Sequence, residues 1–256
     1  MDIKAYLDRL NYQGAPNNTL ETLRKLHRAH VYSVPFENLN IHNKVWIELD
    51  TDQFYDKIVR NKRGGFCYEV NGLLFEVLQQ LGFQCYFISC SVFNHLTQEY
   101  APYFGHVAIV VENGDERWLT DVGFGSSFPE PLKVICDVLQ PQDGIQYKLT
   151  QLNDTEILLE RSEDGKEFLK MYKFTLTPRK LEEFQEMCVF HQTSPLSPFT
   201  QRKIYSLAQP NGRITLTSQS LIITENGQKT ETPIANDEEF REKLSSYFAL
   251  DEKNKV

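Results

Sequence analysis

Several features are scarce in this chain, and each scarcity closes off a class of function. No run of about 18 apolar residues exists, so no segment reads as a membrane-spanning helix. The first residues, Met1–Leu10, mix charged and apolar side chains and do not suit a signal peptide. The five cysteines are odd in number and include no Cys-x-x-Cys pair. That usage argues against a disulfide framework and for a reducing compartment, so a cytoplasmic protein is expected. Cys85 and Cys90 share one strand at an odd separation and should face opposite sides, which argues against a paired metal site. Positive charge is also short: 27 Lys and Arg stand against 35 Asp and Glu, for a net charge of −8. A nucleic-acid-binding surface is therefore not expected, and an anionic ligand would need a local basic patch. Lys62, Arg63, Arg202, Lys203 and Arg213 are the residues available for one. There is no P-loop, no complete Gly-x-Gly-x-x-Gly fingerprint, no low-complexity tract and no internal repeat. What remains is an ordinary globular composition, 41% apolar and 24% charged over 256 residues, enough for one large domain or two to three small ones.

The first 82 residues read as mostly helical. Ile3, Leu7 and Leu10 mark one helix; Leu20, Leu23 and Leu26 mark a second, with Asn18 and Glu21 as its capping pair. His27 and His30 share a face of that helix and are more simply core or surface histidines than ligands. Pro35 ends the helix, a loop follows over residues 36–40, and Asp52–Val59 is a short helix. From Phe83 the pattern changes to strands, at residues 84–93, 106–112, 117–124, 146–150, 156–161 and 168–176. A helical piece at Arg179–Met187 leads into an extended connector over residues 191–199. Two hairpins turning at Asn211-Gly212 and Asn226-Gly227 come next, then a last helix capped by Asn236 and Glu239. Helices, then strands, then a mixed tail give an α+β fold.

Two features carry chemistry. In Lys62-Arg63-Gly64-Gly65-Phe66-Cys67, two glycines precede a cysteine that opens a helix, with Val70, Leu74, Val77, Leu78 and Leu81 as its apolar stripe and Gly82 as its stop. A thiol at a helix N-terminus is in the place that favours a thiolate, although a buried structural cysteine fits the same pattern. The second feature is Asn113-Gly114, a strong hairpin signal. A two-residue turn at those positions would face Glu112 with Asp115, and counting back would set His106 directly across from Asp121. Their Cβ atoms would then lie about 4.5–5.5 Å apart on one face, within hydrogen-bonding reach. A carboxylate that fixes and charges an imidazole, beside a cysteine at a helix start, has the chain order of a papain-like Cys–His–Asp triad. The glycines of Asp121-Val122-Gly123-Phe124-Gly125-Ser126-Ser127 would expose backbone N–H groups able to bind a phosphate or an oxyanion, or simply form a strand-end turn.

Together these stretches resemble the arylamine N-acetyltransferase family. Arg63–Gly72 is similar to its nucleophile motif, Val34–Leu39 to its N-terminal loop motif, and Asp121–Gly125 to the motif of its third triad residue. Ser194–Phe199 and Gly212–Leu216 are similar to later segments of bacterial members, and the resemblance runs from about Tyr6 to Leu221. It implies an N-terminal helical bundle (1–82), a central β-barrel (83–178), a helical connector (179–200) and a C-terminal α/β lid (201–256). It implies Cys67 as nucleophile, His106 as base and Asp121 as orienter, with acetyl-CoA as co-substrate and no metal. Acceptors would be arylamines, hydrazines and N-hydroxyarylamines, as in xenobiotic metabolism, reached by a ping-pong route through acetyl-Cys67. Phe36 and Phe124 would wall the acceptor ring, Gly125 and Ser126 would lie on the CoA side, and Arg63 and Glu69 would hold the turn. No nucleic acid or membrane partner is implied, and monomer and homodimer both remain open. A papain- or transglutaminase-like enzyme acting on amides and an inactive binding module on the same scaffold are the competing readings.

Overall fold

Helices gather at the start of the chain because their apolar residues recur at helical spacing and their ends are capped. The computed structural model describes residues 1–125, 128–248 and 250. Helices α1 (Ile3–Arg9), α2 (Leu20–Ser33), α3 (Leu39–His42), α4 (Thr51–Tyr55) and α5 (Cys67–Gln80) come first, with a π-helical turn over Asp56–Arg60 extending α4. The cap of α2 is Thr19, whose hydroxyl accepts from the Thr22 N–H at 3.4 Å, and not the expected Asn18. Asp50 caps α4 in the same way. On α5 the residues Leu73, Leu74, Val77 and Leu78 are fully enclosed, each worth about 1.5–3 kcal/mol of burial. Gly82 ends α5 in the left-handed region at φ 86.

The strands are β1 (Phe36–Glu37), β2 (Gln84–Asn94), β3 (Glu99–Tyr100), β4 (His106–Asn113), β5 (Glu116–Thr120), β6 (Leu132–Lys133) and β7 (Leu139–Gln142). They continue as β8 (Ile145–Gln151), β9 (Glu156–Ser162), β10 (Leu169–Thr175), β11 (Ile204–Gln209), β12 (Gly212–Thr217), β13 (Ser220–Glu225) and β14 (Gln228–Pro233). Eight of them, in the order β6-β5-β4-β2-β10-β9-β8-β7, form a nearly closed antiparallel barrel. Its two edge strands are stitched by side chains that imitate backbone pairing. The Gln140 amide accepts from the Lys133 N–H at 2.8 Å and donates to the Lys133 carbonyl at 2.9 Å. The Gln142 amide treats Glu130 in the same way, at 2.8 and 3.0 Å.

Strands β2 and β4 are apolar on both faces because each face meets a different core. Val107, Ile109 and Val111 pack against the helices, and Ala108 and Val110 pack inside the barrel. Cys85 lies on the helical side and Cys90 inside the barrel, as their odd spacing requires. A second sheet, β1-β11-β12-β13-β14, packs Tyr205, Leu216 and Leu221 against Phe240 and Leu244 of α8 (Asp237–Phe248). Phe36-Glu37, expected as loop, is an edge strand of this sheet, pairing Phe36 with Ser206 and Glu37 with Tyr205. Residues 191–199 also differ from the expected extended segment. A 3-10 turn over Leu181–Phe184 runs into α6 (Gln185–Thr193), and α7 (Pro198–Gln201) follows, started by the Ser197 hydroxyl accepting from the Phe199 N–H. Proline at a first helical position starts a turn as readily as it blocks one. No helix among the described residues is long and apolar enough to cross a membrane.

If the two glutamines close the barrel, Gln140→Leu and Gln142→Leu should each lower the free energy of urea unfolding by about 1 kcal/mol. Unchanged stability in both variants would mean that the seam contributes nothing.

Candidate active site

Helix α5 begins where the backbone is most crowded. A Cβ on Gly64 would fall 2.0 Å from the Pro35 carbonyl oxygen, so this turn accepts only glycine. The Phe66 N–H, which α5 leaves without a helical partner, donates to the Glu69 carboxylate at 3.0 Å. Behind it lies an enclosed ionic cluster. Lys57 meets Glu69 at 2.8 Å and Glu37 at 3.3 Å, and Arg63 meets Glu37 at 2.7 Å and Asn40 at 3.2 Å. Burial would raise the Glu37 carboxyl, but the charges of Lys57 and Arg63 win and hold it below its ordinary value. Glu69 goes the other way: burial, with Glu37 adding to it, raises its carboxyl against the pull of Lys57. Arg63 and Glu69 thus hold the turn as expected, through Glu37 and Lys57 and not through each other.

Cys67 occupies the first position of α5 and is 2% exposed. His106 and Asp121 meet it from the barrel. The hairpin that places them differs in register from the simple expectation. The turn residues are Gly114 and Asp115, with Gly114 at φ 62, and Asn113 pairs with Glu116. A glycine at the first central position with positive φ is the type II′ pattern. Strand β5 also stops at Thr120, so Asp121 lies just beyond it. His106 and Asp121 are therefore diagonal and not directly opposed. The register change is two places, which preserves parity, so both still point to the barrel side. Their side chains meet with 2.8 Å between His106 Nε2 and Asp121 Oδ2.

Asp121 is fully buried and collects donors. Asn71 Nδ2 and the Gly123 N–H donate to its Oδ1 at 2.9 Å each, and the Tyr172 hydroxyl donates to Oδ2 at 3.0 Å. Burial would raise this carboxyl; the His106 charge and these hydrogen bonds outweigh it and keep the group below its ordinary value. For His106, burial works to lower the imidazole, and Asp121 overrides it, with Cys67 assisting, so that its pKa is pushed up to about 10. Nε2–H is committed to Asp121, which leaves Nδ1 for the interaction with the Cys67 thiol.

Two residues that were not read from the sequence as part of the site fasten the parts together. Asn71, one turn along α5 from Cys67, donates to the Val107 carbonyl at 2.7 Å as well as to Asp121, and accepts from the Val122 N–H at 2.9 Å. It ties α5 to β4 and to the Asp121 loop. Its signal was available: four residues from Cys67, it is a polar side chain on a helix with a mostly apolar face. His27 accepts from the Asp121 N–H at Nε2 (3.1 Å) and donates from Nδ1 to the Pro129 carbonyl (3.0 Å). Burial holds its pKa down to about 4, and the neutral ring can accept. His30 is buried too, with 2.7 Å between its Nδ1 and the Tyr6 hydroxyl, so both are core histidines. Nothing local in the sequence marked Tyr172, which arrives on β10 through its pairing with β2.

The other expected residues divide. The Phe124 ring stands edge-on to His106 at 5.3 Å and to Tyr172 at 5.2 Å and is half-buried. Phe36 is one ring further off: it meets Phe199 at 6.0 Å, and Phe199 meets Phe66, the neighbour of Cys67, at 6.2 Å. Gly125 faces open space, and Ser126 lies outside the described residues. Gly123 is the point of contact between loop and helix. A Cβ there would fall 2.7 Å from Asn71 Nδ2 and 2.8 Å from Cys67 Cα.

Cys67, His106 and Asp121 are thus adjacent, and known proteins resemble the chain over nearly its whole length. A family model described as N-acetyltransferase matches residues 19–256. Arylamine N-acetyltransferase 2 of Mesocricetus auratus is 33% identical over 279 aligned residues, covering 100% of this chain and 96% of that protein. The arylamine N-acetyltransferase structure from Salmonella typhimurium superposes with a TM-score of 0.90 at 27% identity, covering 97% of this chain and 90% of that one. That of Mycobacterium marinum in complex with CoA gives 0.89 at 27% identity, covering 97% and 93%.

The shifted imidazole carries a stability signature. Its folded pKa of about 10 lies above the ordinary 6.5, so its contribution is complete below 6.5 and lost as pH rises through about 10. Urea unfolding of the wild type should show stability falling across that window. His106→Gln should flatten the fall, and an equal slope in the variant would exclude His106 as its source.

Proposed function

Since the chain belongs to the arylamine N-acetyltransferase family, we propose that it transfers acetyl from acetyl-CoA to arylamines and hydrazines, and to the oxygen of N-hydroxyarylamines, by a ping-pong route through Cys67. The observation that carries this reading is the Cys67–His106–Asp121 adjacency at the start of α5. The Cys67 thiolate attacks the thioester carbonyl, and the carbon–sulfur bond to CoA breaks. The departing CoA sulfur takes the proton from imidazolium His106. Acetyl-Cys67 and a neutral imidazole remain. An amine then attacks the acetyl carbonyl, His106 accepts its proton, and the Cys67 thiolate leaves with the imidazolium restored. Asp121 stays ionised throughout and keeps Nε2–H oriented.

Phe124, against His106, is the better placed wall for a flat acceptor; Phe36 acts at one ring's remove, through Phe199. Gly125, half-buried with open space beside it, suits the donor side. We assign the bundle, barrel, connector and lid to 1–82, 83–178, 179–200 and 201–256, with Phe36-Glu37 lent to the lid sheet. A cytoplasmic enzyme fits the free cysteines. Amide hydrolysis by the same three groups is the second reading, favoured only by the triad's generality.

Incubation with acetyl-CoA and no amine should give one acetyl adduct by intact mass, absent from Cys67→Ala and discharged by a hydrazide. A thiol that alkylates readily but never acetylates would remove acetyl-CoA as donor and favour the amide reading.

A further inference from the structure

The backbone on either side of His106 is short of strand partners. The β4–β5 ladder runs only from Ile109 to Asn113, so the first residues of β4 have β2 on one side and, among the described residues, no strand on the other. Residues 101–105 lie between β3 and β4. Side chains take the vacant places. The carbonyls two before, one before and one after His106 each accept from one. Phe104 accepts from the Tyr68 hydroxyl at 2.7 Å, Gly105 from His191 Nε2 at 3.0 Å, and Val107 from Asn71 Nδ2 at 2.7 Å. A carbonyl only accepts, so the His191 proton sits on Nε2, and Nδ1 faces the Ser197 hydroxyl at 3.2 Å. Burial holds the His191 imidazole below its ordinary value, which keeps the ring neutral.

The conformation of this segment is uncommon. Phe104 stands in the left-handed region at φ 66, where an aromatic side chain is rare. Its N–H donates to Ser89 Oγ at 2.6 Å, so both of its backbone polar groups are taken by side chains. At the next residue, Gly105, a Cβ would fall 3.1 Å from the Pro102 carbonyl oxygen. Backbone held in such a region persists only where its surroundings over-determine it. Here they are Ser89 on β2, Tyr68 on α5 and His191 on α6, all buried.

The source of each restraint gives it a consequence. Tyr68 directly follows Cys67, and Phe104 stands two residues before His106. Their single hydrogen bond therefore ties the backbone that carries the sulfur to the backbone that carries the imidazole. Asp121 orients the ring at Nε2; Tyr68 and His191 fix the chain from which the ring extends. The two donors pack as a block, with their rings 6.2 Å apart and Phe199 edge-on to His191 at 4.9 Å.

We propose that Tyr68 and His191 are positioning residues for His106: through the Phe104 and Gly105 carbonyls they set where its imidazole stands relative to Cys67. The effect on turnover rests on the acyl-transfer reading above; the placement of the ring rests on these hydrogen bonds.

Tyr68→Phe and His191→Phe each remove a donor and keep a ring in place, whereas His191→Gln keeps an N–H able to reach the Gly105 carbonyl. In single-turnover acetylation of Cys67, both phenylalanine variants should slow the step about tenfold at saturating acetyl-CoA, with the half-saturating concentration unchanged, and His191→Gln should recover part of the rate. NMR with no donor present should show the His106 ring nitrogens displaced in both phenylalanine variants, and the ring losing its proton at a lower pH. Wild-type rates and resonances in variants less stable to urea would overturn the proposal and leave the two side chains as packing. A raised half-saturating concentration with the rate intact would do the same. Displaced His106 resonances in a protein that never acetylates Cys67 would uphold the positioning and end the acetyl-CoA reading. If Tyr68→Phe does not fold, the contrast between His191→Phe and His191→Gln decides.

Discussion

An ionised carboxylate sealed from solvent is the constraint on which this structure turns. Taking Asp121 out of water costs several kcal/mol unless partners replace its hydration. Among the described residues those partners include Asn71 from α5, His106 from β4, Tyr172 from β10 and the Gly123 N–H from its own loop. Each donor must be delivered by its own element. Folding of the helices onto the barrel and charging of the imidazole are therefore one event. A variant that leaves Asp121 buried but removes one donor loses more than one hydrogen bond, because the remaining charge is under-solvated.

Cys67 is held in place by a second device. Gly64 and Gly123 let two backbone segments pass against the start of α5, one at Pro35 and one at Cys67 itself. The cluster of Lys57, Glu69, Glu37 and Arg63 keeps the first of these in place. Glu37 also belongs to β1, so the same cluster fixes the edge of the C-terminal sheet relative to Cys67. The position of the sulfur and the position of the C-terminal sheet share their supports.

Local signals in the sequence reached far into this arrangement where short-range chemistry decides the outcome. The α5 stripe, the two glycines and the shared face of His106 and Asp121 could all be read from spacing, and the family motifs pointed to Cys67, His106 and Asp121. The hairpin register was misread because Asn-Gly at 113–114 invites a turn centred on both residues, whereas Gly114-Asp115 forms it. The outcome survived because a shift of two keeps each side chain on its face. Phe36-Glu37 read as loop because two residues give no alternation, and their partner strand lies about 170 residues away in sequence. Asn71 and Tyr172 were missed for opposite reasons. Asn71 stood inside a quoted motif without an assigned role, and Tyr172 reaches Asp121 only once β10 has paired with β2, about 80 residues earlier in the chain.

The most direct measurement of the central claim is the titration of His106 by NMR of its ring nitrogens, in wild type and in Asp121→Asn. The account predicts an imidazolium in the wild type that persists to about pH 10, and a lower value in the variant. A wild-type His106 that loses its proton near the ordinary 6.5 would contradict it. The buried carboxylate would then not be charging the imidazole, and the Cys67–His106 pair would have to be explained without it.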